Sequence, residues 1–125
     1  MRVLIVNGDY DEAALVTEAL TMQGFEVVTA HNAMEARVAL RKDRFDLAIL
    51  NLHLPDLDAF SLIETTGELL AGTPRILTTA HPDSNTVVRA ASAGFKAVVA
   101  KPFSMKTLID RASQILARAP GENFP

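Results

Sequence analysis

The sequence predicts an α/β fold in which five parallel strands alternate with five helices. Three observations carry this. Residues 3–6 and 47–50 are unbroken apolar runs of strand length, and a run without polar alternation fits a strand covered on both faces. Between such runs, Asp9 with Glu12 and Asn32 with Glu35 have the spacing of capping boxes, which open helices. Gly24, Gly94 and the Gly72/Pro74 pair then fall where those helices must stop. Repeated βα units in one small domain imply right-handed crossovers and helices on both faces of the sheet.

In chain order, residues 3–6 form the first strand, and a helix starts near Tyr10 with Leu15, Val16, Ala19 and Leu20 as its apolar stripe. Residues 25–29 are the second strand. Asn32 opens a second helix that turns Ala36, Ala39 and Leu40 inward and ends near Asp43. Residues 45–50 are the central strand. Asp58 caps a third helix to about Leu70, with Phe60, Ile63 and Leu70 inward. Residues 75–79 are the fourth strand, and Asp83 or Ser84 starts a fourth helix. Residues 97–100 make a short fifth strand, after which Ser104 caps a last helix burying Leu108, Ile109, Ala112, Ile115 and Leu116. The domain spans 1–118, and 119–125, with two prolines and a glycine, read as a tail or the start of a linker.

At 125 residues the chain suits a single core. Charged residues make up 22% and apolar residues 49%, as in ordinary soluble domains, and no apolar run nears the roughly 20 residues that span a bilayer. The absence of cysteine rules out thiolate chemistry and fits a cytoplasmic location. The net charge of −3 divides unevenly: residues 1–70 hold 12 acids and 5 bases, whereas 71–125 hold 3 acids and 7 bases. No arginine-rich run or aromatic ladder points to nucleic acid.

Open parallel sheets keep their ligands at the carboxyl ends of their strands. Those ends here are Asn7, Gly8 and Asp9; Asn51 to His53; Thr79 to His81; and Lys101 with Pro102. Asp9 is better placed to cap a helix than to bind metal, and His53 and His81 are expected at the rim.

Several short motifs follow one another along the chain: Val3-Leu4-Ile5-Val6 and its loop, Gly24-Phe25, Glu35-Ala36, Leu52-His53-Leu54-Pro55-Asp56, Thr79-Ala80, Ala93-Gly94 and Lys101-Pro102-Phe103. Over residues 2–118 the sequence thereby resembles the receiver domain of bacterial two-component response regulators. The resemblance implies a doubly wound flavodoxin/CheY-like sheet with strand order 2-1-3-4-5. It also implies a site in which an acid pair and an aspartate bind Mg²⁺, the aspartate accepts a phosphoryl group from a histidine kinase, and a hydroxyl and a lysine contact the phosphate. Carried over by position, the acid pair falls on Asn7 and Gly8, the acceptor on Asn51, the hydroxyl on Thr79 and the lysine on Lys101. Three of these five positions are wrong for phosphotransfer. The usual loop glycine is Ala59, which would be strained in a left-handed backbone. The aromatic of the switch is Val98, and the Lys101–Pro102 peptide is expected to be cis, as the family's is.

An amide is neither a carboxylate nucleophile nor a charged oxygen ligand, so Asn51 should form no stable phosphoryl adduct. Mg²⁺ favours sites with one or two carboxylates, and each carboxylate lost removes attraction of roughly 4 kcal/mol per charge pair at about 4 Å and an effective dielectric near 20. No useful Mg²⁺ affinity, and no other cofactor, is expected. Asn51 is expected to accept a hydrogen bond from Lys101, with Asp9 balancing its charge. The leading expectation is a non-enzymatic pseudo-receiver working by phosphorylation-independent contact with a signalling protein, an output domain, a histidine kinase or a second copy. The contact face would be the fourth helix, fifth strand and fifth helix, with Arg89, Lys96, Lys106 and Arg111; neither nucleic acid nor membrane would be touched. The alternatives are a Mg²⁺-dependent phosphoacceptor inactivated by engineered substitutions, and a nucleotide- or flavin-binding enzyme. The second is weakened because Asn7-Gly8-Asp9-Tyr10 lacks an amide nest for phosphate.

Overall fold

A computed structural model describes residues 1–117. The expected tail at 119–125 lies outside the described residues. The strands are β1 (Arg2–Val6), β2 (Glu26–Ala30), β3 (Leu47–Asn51), β4 (Arg75–Thr79) and β5 (Phe95–Ala100); the helices are α1 (Tyr10–Met22), α2 (Ala33–Lys42), α3 (Ala59–Thr66), α4 (Ser84–Ser92) and α5 (Met105–Leu116). All strand pairs are parallel, in the order β2-β1-β3-β4-β5. The expected doubly wound sheet is therefore present.

Alternation along each strand divides the core. Leu4, Val6, Ala48, Leu50 and Leu77 face α2, α3 and α4, whereas Val3, Ile5, Leu47, Ile49, Ile76 and Val99 face α1 and α5. Each helix opens on a side chain that accepts a main-chain N–H three residues on: Asp9, Asn32, Asp58, Asp83 and Ser104. Two helices end before glycines with positive φ, Gly24 at 92° and Gly94 at 85°, a backbone that glycine adopts without a steric penalty.

The differences from expectation have local causes. Leu15 is 58% exposed, because the buried stripe of α1 runs through Ala13, Val16 and Leu20, and Leu15 lies about 100° round the helix from Val16. The third helix is α-helical only to Thr66 and finishes as a 3₁₀ turn, Gly67–Leu70, which still buries Leu70. β2 is displaced by one residue, β3 starts at Leu47 and takes in Asn51, and β5 starts at Phe95, two residues early. Phe95 enters the sheet by pairing with Arg75 across a register irregularity between Arg75 and Ile76, and its ring packs edge-on against Phe60 with centroids 6.0 Å apart.

Candidate functional site

Asn51 ends β3 directly opposite Thr78 of β4, on the face that packs α1 and α5. Its amide is engaged at both ends: Oδ1 accepts from Thr78 Oγ1 at 3.3 Å, and Nδ2 donates to the His53 carbonyl at 2.9 Å. Asn7, 4% exposed at the end of β1, uses its Oδ1 to accept the Asp9 N–H at 2.9 Å, and His31 Nδ1 donates to its carbonyl at 3.1 Å. Asn7, Glu12, Asn51 and Thr78 line a cavity of about 10 Å³ above Phe103 and Leu108, which is room for about one water molecule.

Lys101 follows β5 and is joined to Pro102 by a cis peptide, as expected. Its ammonium does not reach Asn51. It donates to one oxygen of Glu12 at 3.0 Å and lies 2.9 Å from the other. The two side chains are 20% and 23% exposed, so this is a largely buried ion pair joining α1 to the chain after β5. The expected Asn51–Lys101 hydrogen bond, balanced by Asp9, is thus replaced by a Glu12–Lys101 pair. The physical reason is charge: a buried ammonium is stabilised far more by a carboxylate than by an amide dipole. Asp9 is exposed and caps α1 by accepting the Glu12 N–H at 3.0 Å. The nearer Glu12 oxygen is buried and has no donor in hydrogen-bonding geometry, so it offers that cavity an acceptor.

Thr79, carried over as the phosphate-contacting hydroxyl, is buried and accepts the His81 N–H at 3.1 Å. It points to the opposite face of β4 from Thr78 and is not in the wall of the cavity. His53 and His81 are both exposed in loops. Ala59 begins α3, is buried, and donates its N–H to the Leu52 carbonyl at 2.8 Å. No non-glycine residue among those described has a positive φ, so the strain expected at Ala59 does not arise. Val98 pairs with Leu77 inside the sheet. Asp56, which follows Pro55, accepts from Ala33 and Met34 N–H at 2.8 and 3.1 Å and so closes the start of α2. Desolvation pushes its carboxyl up, but hydrogen bonds from Ala33, Met34, its own N–H and Leu57 outweigh this and hold it below the usual carboxylate range.

On the expected partner face, Lys96 and Arg111 are exposed, and Lys106 pairs with Asp110 one turn on at 2.7 Å. Arg89 departs from expectation: its guanidinium stacks 4.3 Å over the Phe60 ring, toward α3. That cation–π contact takes the charge off the face shared with β5 and α5.

The donor set does not fit Mg²⁺. Glu12, the one carboxylate in the cavity wall, is paired with Lys101, and the Asn7 and Asn51 side-chain oxygens beside it carry no charge. Gly8 offers no side-chain oxygen, and a Cβ there would lie 2.9 Å from Pro55 Cδ, so the loop after β3 occupies the space of any longer side chain. Mg²⁺ keeps several of its waters and is held through one or two carboxylates, and the one in this wall already has a cation. Among the described residues no three His, Asp or Glu side chains form a group able to hold a metal ion.

Glu12 and Thr78 were missed by reasoning from sequence. The spacing of Glu12 from Asp9 reads as a capping box, whereas a lysine without its usual acids needs another carboxylate and so points to it. Thr78 follows from strand register: it is the residue across from Asn51 on the same face.

A sequence profile of the response regulator receiver domain matches residues 3–113. The chain is 34% identical over 119 residues to the transcriptional regulatory protein GltR of Pseudomonas aeruginosa, covering 94% of this chain and 49% of that protein. It is 30% identical over 119 residues to the transcriptional regulatory protein TrcR of Mycobacterium tuberculosis, covering 95% and 46%. It therefore spans about half the length of these curated relatives. Among solved structures it is similar to a CheY-like receiver domain protein from Methanospirillum hungatei, with a TM-score of 0.87, 28% identity and 93% of each chain covered. It is also similar to the non-phosphorylated HemR receiver domain of Leptospira biflexa, with a TM-score of 0.89, 26% identity and 98% of each chain covered.

Proposed function

The chain belongs to the response regulator receiver domain family, and from that membership we propose that it is a pseudo-receiver: a two-component signalling module that takes no phosphoryl group, holds no Mg²⁺ and acts through protein contact. The observation that carries this reading is Asn51 at the acceptor position, with both ends of its amide already bonded to Thr78 and His53. An amide nitrogen whose lone pair is delocalised cannot replace a carboxylate as nucleophile. Beside it, Lys101 is neutralised by Glu12, so the cation that would meet an incoming phosphate already has an anion. Val98 in place of an aromatic supports loss of the conformational switch as well. The module then has no catalytic residue, and a ligand changes its conformation only by binding two states unequally.

The contact surface in this reading is that of α4, β5 and α5, now with Lys96, Lys106 and Arg111 as its cations. Its partner is a signalling protein, output domain, histidine kinase or second copy, and this domain itself touches neither nucleic acid nor membrane. Among the described residues no helix is long and apolar enough to cross a bilayer.

Incubation with Mg²⁺ and acetyl phosphate, followed by intact-mass measurement, tests the chemistry. The expected outcome is no mass gain, and no change in amide NMR shifts with Mg²⁺ and beryllofluoride. A phosphoryl adduct would overturn the reading and return the chain to the phosphoaccepting receivers.

A further inference from the structure

β2 is an edge strand, and its outer edge is open. The Glu26 N–H donates to Met1 and the Ala30 carbonyl accepts from Asn7, both at 2.9 Å. In a parallel ladder successive residues turn their main-chain groups to opposite neighbours, so residues 26, 28 and 30 face β1 whereas Val27 and Thr29 face outward. Among the described residues none supplies a hydrogen-bond partner to those outward groups. Natural edges are usually blunted by lysine, proline or a bulge. β2, with sequence EVVTA, has none of these, and its one charge, Glu26, is paired with Arg2.

A groove of about 500 Å³ runs beside this edge between α1 and β2, within the size range of ligand pockets. At one end Tyr10 stacks on His31 with ring centroids 3.7 Å apart, and at the other Met22 is 78% exposed. A hydrogen bond of 2.9 Å between the Thr17 and Thr29 hydroxyls ties helix to strand. The charge of α1 is one-sided: it carries Asp11, Glu12 and Glu18 and no lysine or arginine. Glu12 is turned away to Lys101, whereas Glu18 lines the groove and makes no ion pair with the described residues.

We propose that this edge and groove form a docking site for an extended segment of another protein, added beside β2 as a sixth strand, with an apolar and a basic side chain two residues apart on its groove-facing side. Main-chain pairing to Val27 and Thr29 supplies register, an apolar side chain enters between Tyr10 and Met22, and a Lys or Arg meets Glu18. A second copy of this chain is the poorer occupant, because pairing two β2 edges brings two acidic α1 helices together. Nothing in this surface depends on the chemistry at Asn51.

The probe is a short fluorescent peptide in which Phe and Lys, two residues apart, alternate with Thr so that both face the groove, compared with a version in which Glu replaces Lys. The basic peptide is expected to bind and to slow hydrogen exchange at the Val27 and Thr29 amides by at least about tenfold. Glu18→Lys should weaken binding about tenfold, and Ala14→Trp, which fills the groove from an exposed helix position, should abolish it. Equal binding of the acidic peptide, or no added protection at Val27 and Thr29, would overturn the proposal. So would a peptide-free dimer, seen by sedimentation, that already protects these amides.

Discussion

The starts of α1 and α2 carry the same signature, an Asp or Asn followed three residues later by Glu, and they use it differently. At α2 the signature is satisfied locally, Asn32 accepting the Glu35 N–H at 2.8 Å and Glu35 the His31 N–H at 2.9 Å, while Asp56 from the loop after β3 takes the Ala33 and Met34 N–H groups. At α1 only the first half forms. Asp9 accepts the Glu12 N–H, but the Glu12 carboxylate leaves for Lys101, 89 residues along the chain. The remaining half of the box is completed by Asn7, which accepts the Asp9 N–H. A side chain drawn from a local partner to a distant one marks the stronger requirement, here the largely buried ammonium of Lys101, whose one ion-pair partner among the described residues is Glu12.

The comparison can be broken most severely at Glu12. Glu12→Gln leaves the Lys101 ammonium without its anion, and because both groups are about one-fifth exposed the expected loss is about 2 kcal/mol, below the 3–5 typical of fully buried pairs. Urea denaturation measures it, and a loss no larger than that of Glu35→Gln would show that the pair is incidental. Asp56→Asn should have an intermediate effect that depends on pH. The folded-state pKa of Asp56 is lowered, so its contribution is present above the unfolded value and disappears as pH falls through the folded one. The wild type should therefore lose stability below about pH 4 in part through Asp56, and the variant, weaker at neutral pH, should show a flatter acid limb in denaturation midpoints. The smallest effect is expected from Glu35→Gln: the amide oxygen still accepts from His31, so a few tenths of a kcal/mol, about 0.3, should be lost.

The fold was legible because its signals are local. Apolar runs, caps and glycines each specify their own element, and the parallel sheet follows from their alternation. Boundaries such as the start of β5 escaped because Phe95 pairs with Arg75 across an irregular register, a contact between distant segments. The positions of Asn7, Asn51 and Lys101 at strand ends were equally legible. What Lys101 pairs with was not, since a capping-box glutamate looks the same in sequence whether it bonds the backbone beside it or an ammonium from another loop. Arg89 shows the same limit: helical spacing put it on α4, but the Phe60 ring decided where its charge points.

The pyrrolidine ring of Pro55 rests against Gly8, where a Cβ would lie 2.9 Å from its Cδ and 3.1 Å from its Cγ. Any larger residue at position 8 therefore needs the ring or its loop to shift, so a substitution there gauges how firmly the loop after β3 is seated against the end of β1.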